Sequence, residues 1–192
     1  LDRLERRNAL DHDTILELIE VQERLAVASL DEVRVVVLTG TPPAFCAGAD
    51  LTGVEEGRFA TDLGRMLRGF GSLHVPVIAS IDGPALGAGT QLVVACDLRI
   101  ATPDSVLGIP AAKLGLVVDH WTVRRVESEF SAPIARAMLV AAETATAADL
   151  HRTGGIHRLG DLDDAMEWAG RLRSLAPLTM HGQYIKDLSF EN

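Results

Sequence analysis

The run from Val75 to Ile100, VPVIASIDGPALGAGTQLVVACDLRI, constrains the fold more than any other stretch of the chain. It opens as an apolar strand that stops at Asp82 and turns through Gly83-Pro84. It then meets a Gly-Ala-Gly step at the mouth of an apolar helix that runs to about Cys96, and a further strand, LRIAT, follows at once. Such an unbroken apolar strand is buried on both faces, which commits it to a sheet covered by helices. A second run of the same kind, VRVVVLTG from Val33 to Gly40, is closed by glycine and followed by the loop TPPAFCAGADL. Two prolines and two small-residue steps defeat both helix and ladder there.

Helical spacing fills the rest. Asp11 and Asp13 offer N-caps for a helix through about Ser29, carried by Ile15, Leu18, Ile19 and Leu25. A mobile stretch is expected from Thr52 to Arg58, then a helix over 61–71. The segment 106–118 reads as loop with room for a short helix. Helices follow over 120–129, 132–142 and 146–153, a strand over 155–160, and helices over 161–175 and 177–187. Strands alternate with helices through 1–142, and helices dominate 143–192. The class is α/β with a helical C-terminal part.

Composition narrows the partners. The 192 residues are 47% hydrophobic, enough for one substantial core, and the net charge of −9 argues against nucleic acid or an anionic membrane surface. Cys46 and Cys96 form no CxxC pair, in keeping with a reducing compartment. No apolar run is long enough to span a bilayer and no leader opens the chain, so a cytoplasmic location is expected. The first residues already read as the inside of a domain, and either terminus can be missing.

Two loops can cooperate. CAGAD (Cys46 to Asp50) follows one strand and LGAG (Leu86 to Gly89) follows the next. Adjacent parallel strands bring both to one sheet edge, where ligands of such sheets lie. The N–H groups of Ala49 and Ala88 can then grip one carbonyl oxygen as an oxyanion hole, each worth about 3 kcal/mol in a transition state. The same glycines also suit ordinary strand-to-helix turns. GxGxxG, the P-loop pattern and GxSxG are all absent, and the scattered histidines lack metal-site spacing. No metal is expected. The polar candidates that remain are Gln91, Asp97, Lys113 and Asp119.

The segments ERRNAL, AFCAGADL, DGPALGAG with CDLRIA, LGIPAAKLGL and ARAMLVAAE, in this order, resemble the enoyl-CoA hydratase/isomerase (crotonase) family from Arg6 to about Gly160. The resemblance implies a spiral of ββα units over 1–142, with 143–192 as the start of a C-terminal helical region that is incomplete here. It implies acyl-CoA thioesters as ligands, coenzyme A as part of the substrate, no permanently bound cofactor, and a homotrimer or dimer of trimers. It assigns the oxyanion donors to Ala49 and Ala88. Contacts with the CoA nucleotide are assigned to Arg7, Asn8, Ala9, Leu10, Ala47, Asp50 and Leu51. Arg3, Arg6 and Arg7 form a small cationic cluster suited to its phosphates.

The family's two catalytic glutamates are replaced. The first lies three residues past the second donor, which is Gln91 here, on the same helix face. The second follows the proline of a GxPE pattern that reads GIPA, so Ala111 takes its place. Glutamine orients a water but has no useful basicity, and general acid–base groups contribute about 10² to 10⁴ each. Efficient hydration is therefore not expected, and an acyl-CoA holding or delivery role is. In this the chain resembles a mycobacterial branch without both glutamates, associated with fatty-acid supply for mycolic acids. An active hydratase or isomerase remains open, as does an isomerase, hydrolase or dehalogenase that uses Asp119. Asp119 also reads as the N-cap of DHWTVRRV. His120 and Trp121 are candidates to line the acyl pocket, and Trp121 equally suits the core.

Overall fold

The computed structural model describes residues 1–50, 52 and 56–175. Its elements in chain order are α1 (His12–Val27), β1 (Val36–Thr39), α2 (Glu56–Gly71), β2 (Val77–Ile81), β3 (Ala85–Leu86), α3 (Ala88–Ala95), β4 (Leu98–Ala101) and β5 (Val106–Gly108). After these come α4 (His120–Phe130), α5 (Ala132–Leu139), β6 (Thr144–Thr146), α6 (Ala147–Arg152), β7 (Arg158–Leu159) and α7 (Leu162–Arg173). Single turns of 3-10 helix occupy Leu4–Arg6 and Pro110–Leu114.

One sheet runs β1-β2-β4-β7 with every pair parallel, and Val36 stands against Val77 and Ile78 against Leu98. Every residue of β2 is buried, because both faces are covered. Strand side chains alternate between faces. Val77, Ala79 and Ile81 join the main core with residues of α1, α2 and α3, whereas Ile78 joins Ile100, Ala165, Trp168 and Ala169 under α7. The second sheet is short: β3 lies parallel to β5, and β5 antiparallel to β6.

Helix starts follow local chemistry. Asp11 accepts from Thr14 N–H at the head of α1, and Asp119 from Thr122 N–H at the head of α4. Asp161 and Asp164 form a reciprocal capping box on α7. Several boundaries differ from those expected. The helix expected over 61–71 begins at Glu56, so 56–58 are helical rather than part of a mobile stretch. The helix expected over 132–142 ends at Leu139, and Ala142 adopts a left-handed φ of 52° that no helix continues. The loop expected over 106–118 contains β5, and the strand expected over 155–160 shortens to Arg158–Leu159. The helix expected over 177–187 lies outside the described residues.

A buried ionic network ties α3, α4 and β4 together. Arg99 is 2% exposed, pairs with Glu129, and donates to the carbonyls of Cys96 at 3.0 Å and Gly155 at 2.8 Å. Arg125 shares the same carboxylate at 3.2 Å. Asp97 accepts the Val77 N–H at 2.8 Å and so helps to seat β2 beside the turn that opens β4.

Candidate functional site

Three backbone segments are stitched together where β1 and β2 end. Leu10 bridges Ala49 in parallel: Leu10 N–H donates to the Gly48 carbonyl and Asp50 N–H to the Leu10 carbonyl, both at 2.8 Å. Cys46 bridges Ala85, with Leu86 N–H donating to the Cys46 carbonyl at 2.9 Å. Ala47 N–H donates to the Arg7 carbonyl at 3.0 Å. The loop 46–50 is thus clamped on both sides and has little freedom.

Two glycines allow the approach. Gly48 has φ +117°, and a Cβ there would stand 3.1 Å from the Leu86 oxygen and 4.0 Å from the Ala88 nitrogen. At Gly89 a Cβ would lie 2.3 Å from the Cys46 oxygen, so the head of α3 touches the first loop backbone to backbone. Thr90 braces it from below. Its hydroxyl lies 2.6 Å from the Ala85 carbonyl and accepts the Gly108 N–H at 2.9 Å, while Gly87 N–H donates to the Gly108 carbonyl at 2.8 Å. Neither Ala49 N–H nor Ala88 N–H donates to an acceptor among the described residues. Ala88 heads a helix, whose first N–H groups carry partial positive charge.

Gln91 is 8% exposed, and its Nε2 donates to the Thr122 hydroxyl at 2.7 Å. Thr122 is fully buried and donates its own N–H to Asp119 Oδ1 at 3.0 Å. Asp119 therefore caps α4, and its Oδ2 stands 3.6 Å from Arg68 Nη1 of α2. Ala111 is half-buried against the core, on the 3-10 turn that starts two residues past Gly108. Trp121 also packs against the main core, and His120 beside it is exposed.

The amino-terminal candidates divide by exposure. Arg6 and Arg7 are exposed and form no salt bridge among the described residues. Arg3 instead binds Asp11 at 3.0 Å and Asp50 at 3.4 Å. Hydrogen bonds from Thr52, followed by the charge of Arg6 and a hydrogen bond from Arg3, hold the Asp50 carboxyl below the usual carboxylate range. Asn8 is 1% exposed. Its side chain accepts from Arg3 N–H at 2.9 Å and donates to the carbonyls of Thr41 at 2.8 Å and Ala44 at 2.7 Å. Its side chain is thus a brace under the turn, where Arg7 and Asn8 both take left-handed φ. Leu10 is fully buried, Ala9 half-buried and Ala47 exposed. Leu51 lies outside the described residues. Burial pushes the Cys46 thiol up to about 11, which keeps it neutral and unreactive.

Neither Thr90 nor Thr122 stands out in the sequence. A threonine near a glycine step carries no local signal, because each hydroxyl acts on a residue far along the chain. Together these parts offer two backbone donors without acceptors on adjoining loops, a helix head behind one of them, and no carboxylate at position 91 or 111.

A family model described as "Enoyl-CoA hydratase/isomerase" matches residues 1–178. A protein of Mycobacterium leprae named "Probable enoyl-CoA hydratase echA6" is 43% identical over 185 residues, covering 94% of this chain and 74% of the relative. The carnitinyl-CoA dehydratase of Proteus mirabilis is 33% identical over 191 residues, covering 94% and 72%. The crystal structure of enoyl-CoA hydratase from Bacillus anthracis superposes with a TM-score of 0.85 over 98% of this chain and 83% of that one; at 24% identity it shows the shared fold.

Proposed function

Since the chain belongs to the enoyl-CoA hydratase/isomerase family, we propose that it binds acyl-CoA thioesters and hydrates them poorly or not at all. The thioester carbonyl lies between the N–H groups of Ala49 and Ala88, and the exposed Arg6–Arg7 turn meets the phosphates of the CoA nucleotide. Coenzyme A enters as part of the ligand. The assembly is a homotrimer or dimer of trimers in the cytoplasm. Among the described residues no helix is long and apolar enough to cross a membrane.

One observation carries the reading. Both backbone donors lack acceptors, while Gln91 is tied to Thr122 and position 111 holds a methyl group. The donors polarise a carbonyl and would favour an enolate, each by about 3 kcal/mol. Hydration also needs a proton taken from water and one delivered to carbon. Without two groups worth about 10² to 10⁴ each, the polarised thioester has no efficient route onward. Binding persists where chemistry does not.

The test is to add crotonyl-CoA and follow loss of the enoyl thioester absorbance, with palmitoyl-CoA binding measured by calorimetry on the same sample. Binding without turnover supports the reading. Robust turnover overturns it, and loss of that turnover in Gln91→Ala or Asp119→Asn would then identify the group responsible.

A further inference from the structure

A cleft of about 390 Å³ opens at the β7 edge of the four-stranded sheet, a volume within the range that holds small molecules. α6 contributes His151 to its wall, β7 and the residue before it contribute Arg158 and His157, and α7 contributes Asp164 and Arg171. None of its lining residues lies in the loops that carry Ala49 and Ala88. Arg158 is held in place but not paired. Its Cζ stands 4.1 Å from the centre of the Trp168 ring, which is itself buried with Ile78 and Ile100. A cation–π contact restrains a guanidinium without satisfying its fork of donors, and among the described residues this side chain has no hydrogen bond or ion pair.

His157 stands at the same Trp168 ring, with centroids 6.4 Å apart, and adds a donor of fixed sense. Its Nδ1 accepts the Arg99 N–H at 3.1 Å, so the ring proton sits on Nε2. Two other groups have the opposite sense. His151 gives Nδ1 to the Ile156 carbonyl at 2.8 Å, which leaves Nε2 of the neutral ring as an acceptor. Asp164 accepts the Asp161 N–H on Oδ2 at 3.1 Å, and its Oδ1 has no partner among the described residues. A Cβ at Gly160 would come within 2.5 Å of Oδ2, so glycine lets this carboxylate lie close against the end of β7. Arg171 is already matched by Glu167 at 2.6 Å. The cleft therefore holds one unpaired cation and a ring N–H donor, together with two acceptors.

We propose that this cleft is a second binding site, for a small hydroxylated oxyanion. Arg158 and the His157 Nε2–H bind its carboxylate or phosphate group, and Asp164 and His151 accept from its hydroxyls. The acidic wall decides the class of ligand. Asp164 repels an anion that brings no donor, whereas a hydroxyl turns the same carboxylate into a hydrogen-bond partner.

Calorimetry on the full chain compares two matched pairs, glycerate with propionate and glycerol 3-phosphate with propyl phosphate, each with and without palmitoyl-CoA. At least one hydroxylated anion is expected to bind with a Kd of about 1 mM or tighter. It should bind about 3–10-fold more tightly than its bare partner, the worth of one or two net hydrogen bonds. The pair that binds more tightly identifies the charged group as carboxylate or phosphate. Arg158→Met keeps an apolar stem beside Trp168 and should weaken binding about 10-fold or more. Arg158→Lys keeps the charge without the fork and should weaken it by less. Palmitoyl-CoA should leave it unchanged, because the two sites share no residue. Affinities weaker than about 1 mM throughout, equal binding within both pairs, or indifference to both Arg158 variants would overturn the inference. Displacement by palmitoyl-CoA also overturns it, since the anion would then occupy the place of the CoA phosphates.

Discussion

Replacing Gly89 by alanine sets two effects of opposite sign against each other. Alanine is the better helix former, by up to about 1 kcal/mol in a helix interior. Yet the new methyl would stand 2.3 Å from the Cys46 oxygen and 3.0 Å from the Cys46 Cβ. Carbon–oxygen contacts settle at about 3.3–3.6 Å, so the head of α3 and the 46–50 loop must part by about 1 Å. The obstructing atom is backbone, and it also accepts from Leu86 N–H at 2.9 Å, so it cannot turn away. Overpacking of this kind costs about 1–3 kcal/mol and outweighs the helix gain. Parting the loops by that distance also separates the Ala49 and Ala88 donors, and a misplacement of about 1 Å can cost on the order of 100-fold in function. Gly170 of α7 is the matched control, since a Cβ there meets nothing within 4 Å. Gly170→Ala should stabilise by about 0.5–1 kcal/mol and raise Tm by about 1–4 °C. Urea unfolding followed by circular dichroism, with acyl-CoA calorimetry on the folded samples, reads both variants. A Gly89→Ala protein as stable as the wild type and with unchanged affinity would refute the argument.

Two further predictions concern the framework behind the site. Glu129→Gln removes the carboxylate shared by Arg99 and Arg125, leaving two buried guanidiniums without it, and should cost about 3–5 kcal/mol in a denaturant titration; a loss below about 1 kcal/mol would mean the network is solvated. His157 accepts the Arg99 N–H on Nδ1, and burial followed by the Arg99 charge holds its pKa below the usual value of about 6.5. Because the folded state binds this proton less readily than the unfolded chain, the contribution is complete above about pH 6.5 and is lost as pH falls toward the depressed folded value. The urea midpoint of the wild type should therefore drop between pH 7 and 5 more steeply than that of His157→Asn, and identical slopes would remove His157 from the account.

Much of this molecule is written in short-range chemistry. The apolar runs of β1, β2 and β4 announce buried parallel strands, and Asp11 and Asp119 announce helix starts, because a cap acts across three residues or fewer. The glycine steps at 46–50 and 86–89 likewise point to loops whose N–H groups are left without helix partners. β3 and β6 leave no such mark. Two or three residues carry no period, and they become strands only because β5 lies beside them.

By itself the sequence determined the layered α/β class, the helix heads, the Gly-Ala-Gly step and the absence of carboxylates at 91 and 111. Tertiary structure alone decided which polar groups became framework. The Asn8 side chain is bonded to a carbonyl 36 residues away, Gln91 is anchored to a threonine 31 residues away, and Arg99 reaches a carbonyl 56 residues away. The reason is physical. A capping or turn preference is settled by neighbours along the chain, whereas a buried polar side chain must bond to whatever the fold brings within about 3 Å, and no local pattern encodes that partner.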